Sequence, residues 1–246
     1  MNIREELYRL FCVPKCTSCN KALKTGENVL CAECMRKYQG EKVRDCSYCF
    51  SQIHLCSCTP KNFKAAKIHH LFKISRYFAN IEDSPTKKLI FSLKKFNLNR
   101  VFDFMANELA GRIGQHYGEE VSDIIIVPIP RRRKNVIKYG YDHAYELAKR
   151  ISRKLNCKTV LALKSLTKRD QKGLTGEERR QNIKFTVRGH SDFRGKRILI
   201  LDDIVTSGSS MLEAARLIFT MSPKEVDGAC FAISYRDIDL NTTLPF

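Results

Sequence analysis

A chain of 246 residues has room for one sizeable core, or for one core and a small satellite module, and the second arrangement is expected here. Hydrophobic residues make up 43% of it, and its longest apolar runs stop well short of the roughly 18 residues of a membrane span, so a folded chain that does not cross a bilayer is expected. Its 44 Lys and Arg against 26 Asp and Glu give a formal charge of +18, which favours polyanionic partners, either nucleic acid or phosphorylated small molecules, although a basic surface can also serve solubility alone.

The opening "MNIREELYRLF" is charged and amphipathic, without the apolar segment of a cleavable secretory signal, and the cytoplasm is the expected compartment. Eleven cysteines in a reducing compartment point to metal before disulfides, and nine of them fall in the first 58 residues. In "CTSCNKALKTGENVLCAEC", two C-x-x-C pairs stand eleven residues apart around a turn signal at Gly26. Each pair makes a tight knuckle with both thiolates on one side, and two facing knuckles close a tetrahedral site from Cys16, Cys19, Cys31 and Cys34. "CSYCFSQIHLCSC" offers a second set, Cys46, Cys49, Cys56 and Cys58; its last pair is separated by one residue, which leaves His54 as an alternative ligand. Cys12 reads as a small apolar residue beside the first knuckle. With few large apolar side chains, this segment needs structural zinc, at one or two sites, to fold. The polar, proline-bearing "TPKNFKAAKIHH" sets a boundary near residue 62, giving a double zinc-ribbon module over 1–62 and a larger domain over 63–246.

Beyond the boundary the pattern alternates. "HLFKISRYF" predicts a strand, "SPTKKLIFSLKKFN" an amphipathic helix introduced by Ser84 and Pro85, and "VFDFMANELAGRIGQHY" a second helix. "DIIIVPIP" is an apolar run of strand length ending in prolines, as a central parallel strand leaving a sheet would. There follow a helix in "DHAYELAKRISRKL", a strand in "KTVLALKS", a short segment near "FTVRG", the strand "RILIL", the helix "SMLEAARLIFT" and the strand "EVDGACFAIS". This alternation predicts an α/β fold with a mostly parallel sheet flanked by helices on both faces.

In open parallel sheets, ligands bind beyond the carboxyl ends of the strands, and "RILILDDIVTSGSS" stands at such a place. Residues Thr206, Ser207, Gly208, Ser209 and Ser210 turn into a helix, offering free amides and hydroxyls to an anion, with Gly208 letting the backbone approach closely. Two carboxylates beside a phosphate would repel the ligand unless they face its hydroxyls. Asp202 and Asp203 accepting from the 2′ and 3′ hydroxyls of a ribose, with its 5′-phosphate in the loop, satisfy both conditions. Neither a dinucleotide-binding nor a Walker motif is present.

From Ile198 to Ser210 the sequence resembles the phosphoribosyltransferase signature, an apolar strand, two acids and a T-[ST]-G loop that binds phosphoribosyl pyrophosphate. A zinc ribbon followed by "VPIP", a basic stretch, "GYDHAYELA", "QKGLTGEERRQN" and that signature is similar, over nearly the whole chain, to the ComF family of competence proteins. Where that family usually carries arginine-glycine-aromatic-Asn-Gln, this chain has Tyr139, Gly140, Tyr141, Asp142 and His143. The resemblance implies that Asp202 and Asp203, in the catalytic position, hold the ribose hydroxyls, and that residues 206–210 hold the 5′-phosphate. It makes Arg131, Arg132 and Arg133, after the prolines, candidate pyrophosphate ligands with none singled out. Mg²⁺ would ride on the ligand's own oxygens. Arg179 and Asn182 are candidate substrate contacts. Lys94 stands where the family has a lysine in its hood, but an exposed helix lysine is the commoner explanation, and it is not counted in the site.

Two functions follow as expectations. The first is a ComF-like phosphoribosyl-pyrophosphate-binding protein of natural competence that handles incoming single-stranded DNA at the cytoplasmic side. A helicase-like translocase or another competence protein would be its partner, and would hold it peripherally at the inner face of the membrane. Between Arg131 and Arg197, 21 Lys or Arg stand against 6 Asp or Glu, a net of +15, with Tyr139, Tyr141 and Tyr145 interleaved. The alternative is a phosphoribosyltransferase of nucleotide or cofactor metabolism acting on a nitrogenous acceptor, chemistry that needs positioning and charge stabilisation more than a covalent nucleophile. A ligand-controlled DNA binder would reconcile the two.

Overall fold

Strands β1 (Leu71–Phe78), β2 (Ile124–Pro128), β3 (Lys158–Thr159), β6 (Arg197–Val205) and β7 (Glu225–Tyr235) form one sheet in the order β1-β7-β6-β2-β3. Every neighbouring pair is parallel. The computed structural model describes residues 13–44, 61–166, 184–189 and 192–235. Cys12, His54, the second cysteine set (Cys46, Cys49, Cys56, Cys58), Arg179 and Asn182 lie outside the described residues.

The near-continuous apolar strands are buried on both faces, as a parallel sheet requires. Ile124, Ile126, Leu199, Leu201, Ala229 and Phe231 face one core with helices α3 (Pro85–Lys95), α4 (Asn99–Tyr117) and α6 (His143–Leu155). The alternate residues Val127, Ile198, Ile200, Val226 and Cys230 face a second core with α7 (Ser209–Phe219) and Phe63 of the short α2 (Lys61–Ala65). Helix starts follow the local chemistry. Ser84 Oγ accepts from Lys87 N with Pro85 in the first turn, and Asp142 accepts from Ala144 N and Tyr145 N.

Three details depart from the sequence reading. "KTVLALKS" is two strands. Val160 N makes a last bond to Ile126 O, then the chain buries Ala162 and Leu163 in the second core, and β4 (Leu163–Ser165) pairs antiparallel with β5 (Phe185–Val187). A short helix, α5 (Arg133–Tyr139), fills the basic stretch where none was expected. Finally, β6 does not stop at Leu201 but runs to Val205, still paired with β7 through Val205 and Ile233. On its other side β2 ends at Pro128, opposite Leu201. The sheet therefore steps back along that edge, and Asp202 and Asp203 sit on the projecting strand.

The cysteine segment is joined to this frame by helix α1 (Ala32–Glu41). Tyr38 is completely buried, edge to face with Phe104 and parallel to Phe231 at centroid distances of 5.3 and 6.2 Å. Val43 N donates to Ile74 O, Arg100 donates to Lys15 O at 2.7 Å, and Thr86 N donates to Glu41 Oε2 at 2.9 Å.

Candidate functional site

At the step in the sheet, Asp203 is 3% exposed. Lys94 Nζ, from the last turn of α3, lies 2.7 Å from its Oδ2, and His143 Nε2, from the start of α6, lies 3.3 Å from its Oδ1. Burial alone would raise the Asp203 carboxyl, but the Lys94 ammonium and the His143 ring outweigh it and hold the group well below the ordinary carboxylate range. The Lys94 ammonium thus serves Oδ2 and the His143 ring serves Oδ1. Each carboxylate oxygen has a second lone pair, so the anchored Asp203 can still accept from a ligand hydroxyl. Asp202 accepts from Asp203 N at 2.9 Å. Burial and the neighbouring Asp203 charge push its carboxyl well above the ordinary range. Adjacent carboxylates are thus held unequally, one ionised and one prone to keep its proton.

Five residues beyond Asp203, Gly208 takes a left-handed conformation, φ +76°, and its carbonyl accepts the first helical bond of α7 from Leu212 N at 2.9 Å. Gly208 has no side chain with which to cap this helix; Ser207 Oγ, just before it, accepts from Ser209 N at 3.5 Å and bonds Ser209 Oγ at 2.9 Å. First-turn amides of an 11-residue helix that starts at a glycine are of the kind that suit an anion. Thr206 is exposed, Ser207 and Ser210 are half-buried, and Ser209 is buried. Behind the turn stands Phe63, and a Cβ on Gly208 would lie 2.6 and 2.7 Å from two of its ring carbons. Gly208→Ala is expected to lower stability by about 1–3 kcal/mol through left-handed strain plus this overlap. Pairing it with Phe63→Leu should show coupling in a double-mutant cycle of unfolding free energies, since the smaller side chain relieves the overlap but not the strain. Additive losses would mean that ring and turn do not press on each other.

The three arginines after β2 have separate fates. Arg131 donates to Lys94 O at 2.8 Å and to Tyr141 O at 3.3 Å, with its guanidinium 4.5 Å from the centroid of the Tyr139 ring. It ties the end of α3 to the turn before α6. Arg132 is half-buried at the start of α5, and Arg133 is exposed on that helix. The structure thus brings Asp202, Asp203 and the residue 206–210 loop together on one strand and turn, and engages Arg131 with backbone carbonyls.

Two residues of the carboxylate cluster escaped the sequence reading. By sequence Lys94 reads as a solvated helix lysine, yet it continues the buried stripe Leu89, Ile90, Leu93, four residues beyond Ile90. His143 likewise opens the buried stripe Ala144, Leu147, Ala148, Ile151 of α6. A polar residue on an apolar stripe was the available signal in both cases.

In the cysteine segment, the Sγ atoms of Cys16, Cys19, Cys31 and Cys34 all lie within 4.8 Å of one another, and Cys19 and Cys31 are 3.7 Å apart. Four sulfurs at zinc–thiolate distance from a common centre would stand about 3.8 Å apart, so the set fits one tetrahedral ion. Burial raises the Cys16 thiol, but the backbone amides of Cys19, Cys31 and Ser18 more than offset it and bring it to about 7. Burial pushes Cys34 up to about 12, so a thiolate there needs a cation within the cluster.

A family model described as phosphoribosyl transferase domain matches residues 141–238, which include α6, β6, the carboxylates, the loop and α7. Competence protein F of Haemophilus influenzae is 25% identical over 231 residues, covering 86% of this chain and 93% of its own length. The DNA utilization protein YhgH of Escherichia coli K12 is 24% identical over 223 residues, covering 87% and 95%. Among solved structures, one of adenine phosphoribosyltransferase overlaps 61% of this chain and 78% of its own, with 14% identity and a TM-score of 0.40. The relatives matched over most of both chains, together with the phosphoribosyl transferase domain, support assignment of this chain to the ComF family.

Proposed function

We propose that the protein is a ComF-like, phosphoribosyl-pyrophosphate-binding protein of natural competence that assists internalisation of single-stranded DNA at the cytoplasmic side. The observation that carries the ligand is Asp203, buried and held ionised by Lys94 and His143, on the same strand and turn as a helix start whose N-cap, Gly208, has no side chain. Ribose hydroxyls donate to Asp202 and Asp203, and the 5′-phosphate takes the amides and hydroxyls of Thr206, Ser207, Gly208, Ser209 and Ser210. Among the described residues the one cluster of three or more side chains able to hold a metal is the cysteine one. Mg²⁺ arrives on the pyrophosphate and ribose oxygens of the ligand, with Arg132 and Arg133 near the pyrophosphate, while zinc in the four-thiolate site is structural. The DNA role is supported by the names of the relatives, which concern competence and DNA utilization, and by the net charge of +15 between Arg131 and Arg197.

The test is calorimetric titration with phosphoribosyl pyrophosphate and Mg²⁺. Wild-type protein is expected to bind in the micromolar range, roughly −8 kcal/mol, and the Asp202→Ala, Asp203→Ala variant to lose that binding. Absence of binding by the wild type overturns the ligand assignment. Pyrophosphate released in the presence of a nitrogenous base would turn the reading to a phosphoribosyltransferase.

A further inference from the structure

Next to the carboxylate cluster, α3, the C-cap residue that ends it and α5 expose side chains that a solvated surface does not ordinarily carry. Phe91 and Phe96 are each 53% exposed and Ile137 is 73% exposed. The two phenylalanine rings meet edge to face with centroids 6.0 Å apart. Cations are interleaved with them. Lys95 Nζ lies 5.9 Å from the Phe91 centroid and 4.7 Å from that of Tyr139, which Lys138 also flanks at 5.4 Å. Lys95 hydrogen-bonds the Tyr139 hydroxyl as well. Neither helix contains an Asp or Glu, and α5 adds Arg133 and Lys134.

We infer that this platform binds single-stranded nucleic acid, with bases stacking on Phe91 and Phe96 and the phosphate backbone tracking Lys95, Lys134 and Lys138. The inference rests on the DNA-handling reading above and gives it a place on the molecule. Exposed aromatic faces among unopposed cations are the chemistry that recognises unpaired bases joined by phosphates. Aromatics with cations also occur on membrane-surface helices, but those commit a whole apolar face to lipid. Here the apolar stripe of α3, Leu89, Ile90 and Leu93, is already buried in the protein core, leaving two rings outside. The platform is also continuous with the carboxylate cluster. Lys95 adjoins Lys94, the partner of Asp203, and Arg131 bridges the Lys94 carbonyl and the Tyr139 ring. A strand lying on the platform passes the mouth of the phosphoribosyl site.

The test uses full-length, metal-loaded protein and a labelled oligothymidylate of about 20 nucleotides, followed by fluorescence anisotropy between about 0.05 and 0.2 M salt. Phe91→Ala with Phe96→Ala is expected to weaken binding at least about tenfold at fixed salt. Because both rings are exposed, the thermal midpoint and the affinity for phosphoribosyl pyrophosphate should not move. Lys95→Ala with Lys138→Ala is expected to flatten the logarithmic salt slope by about two. If the phenylalanine variant binds the oligonucleotide as tightly as a wild type that does bind, the platform is overturned and the DNA-handling reading stands. If the wild type does not bind at low salt, both fall. Phenylalanine-dependent sedimentation with phosphatidylserine vesicles, at unchanged oligonucleotide affinity, would overturn the inference in favour of a membrane surface.

Discussion

Stripping metal from the four-thiolate cluster is expected to lower the unfolding temperature of the whole chain by about 10 °C or more, rather than to melt the cysteine segment alone. Structural zinc contributes about 10–16 kcal/mol in small zinc modules, and in a chain of this size each kcal/mol shifts the midpoint by about 2–4 °C. Transmission to the main domain has a definite route. Cys31 caps α1 and Cys34 lies on it, and one turn later the same helix buries Tyr38 between Phe104 of α4 and Phe231 of β7. Losing the cluster frees the start of that helix and with it a completely buried aromatic residue in the main core. Circular dichroism melts of metal-loaded protein, chelated protein and a Cys31→Ser variant, with metal content measured by elemental analysis, check this. A main transition that keeps its midpoint while a separate minor one disappears would show that the two parts fold independently.

The sequence was most informative where one physical requirement acts on neighbouring residues. A strand, two acids and a Gly-containing turn are contiguous, so "ILILDDIVTSGSS" pointed to the paired carboxylates and the glycine turn together. The paired C-x-x-C knuckles did the same for Cys16, Cys19, Cys31 and Cys34, which do converge. What stayed hidden depends on distant segments meeting. Lys94 and His143 lie 109 and 60 residues from Asp203 along the chain, and nothing local distinguishes a lysine at the edge of a buried stripe from one in water. Helix α5 was hidden because "RKNVIKY" has no apolar face to bury, and none of its residues is buried. The splitting of "KTVLALKS" was hidden because its second half is buried elsewhere, in the core beneath α7, and an apolar run does not say which core it enters.

Replacing Lys94 by methionine should destabilise the protein at neutral pH and progressively less as pH falls. Removing one partner of a buried ion pair costs about 3–5 kcal/mol; the Lys94 side chain is 35% exposed, so water already screens part of the attraction and about 2–3 kcal/mol is expected. The sign follows from Asp203. Its carboxyl is held below the ordinary range in the folded protein, so the stability it contributes is fully present above the unfolded value of about 4 and is lost as pH falls through the depressed folded value. Without the ammonium, burial raises that carboxyl. The variant then relieves the uncompensated charge by taking up a proton, and the difference from wild type shrinks between about pH 7 and pH 4. The ammonium also holds in place the Asp203 carboxylate that would accept the ribose hydroxyl, and affinity for phosphoribosyl pyrophosphate should drop at least about tenfold at neutral pH. Lys94→Arg retains the cation and should restore most of both losses. Denaturant unfolding of the three proteins at several pH values, with calorimetry at neutral pH, separates the possibilities. A pH-independent deficit would mean that Lys94 acts through packing of its aliphatic stem on α3, and that His143 alone suffices to keep Asp203 ionised.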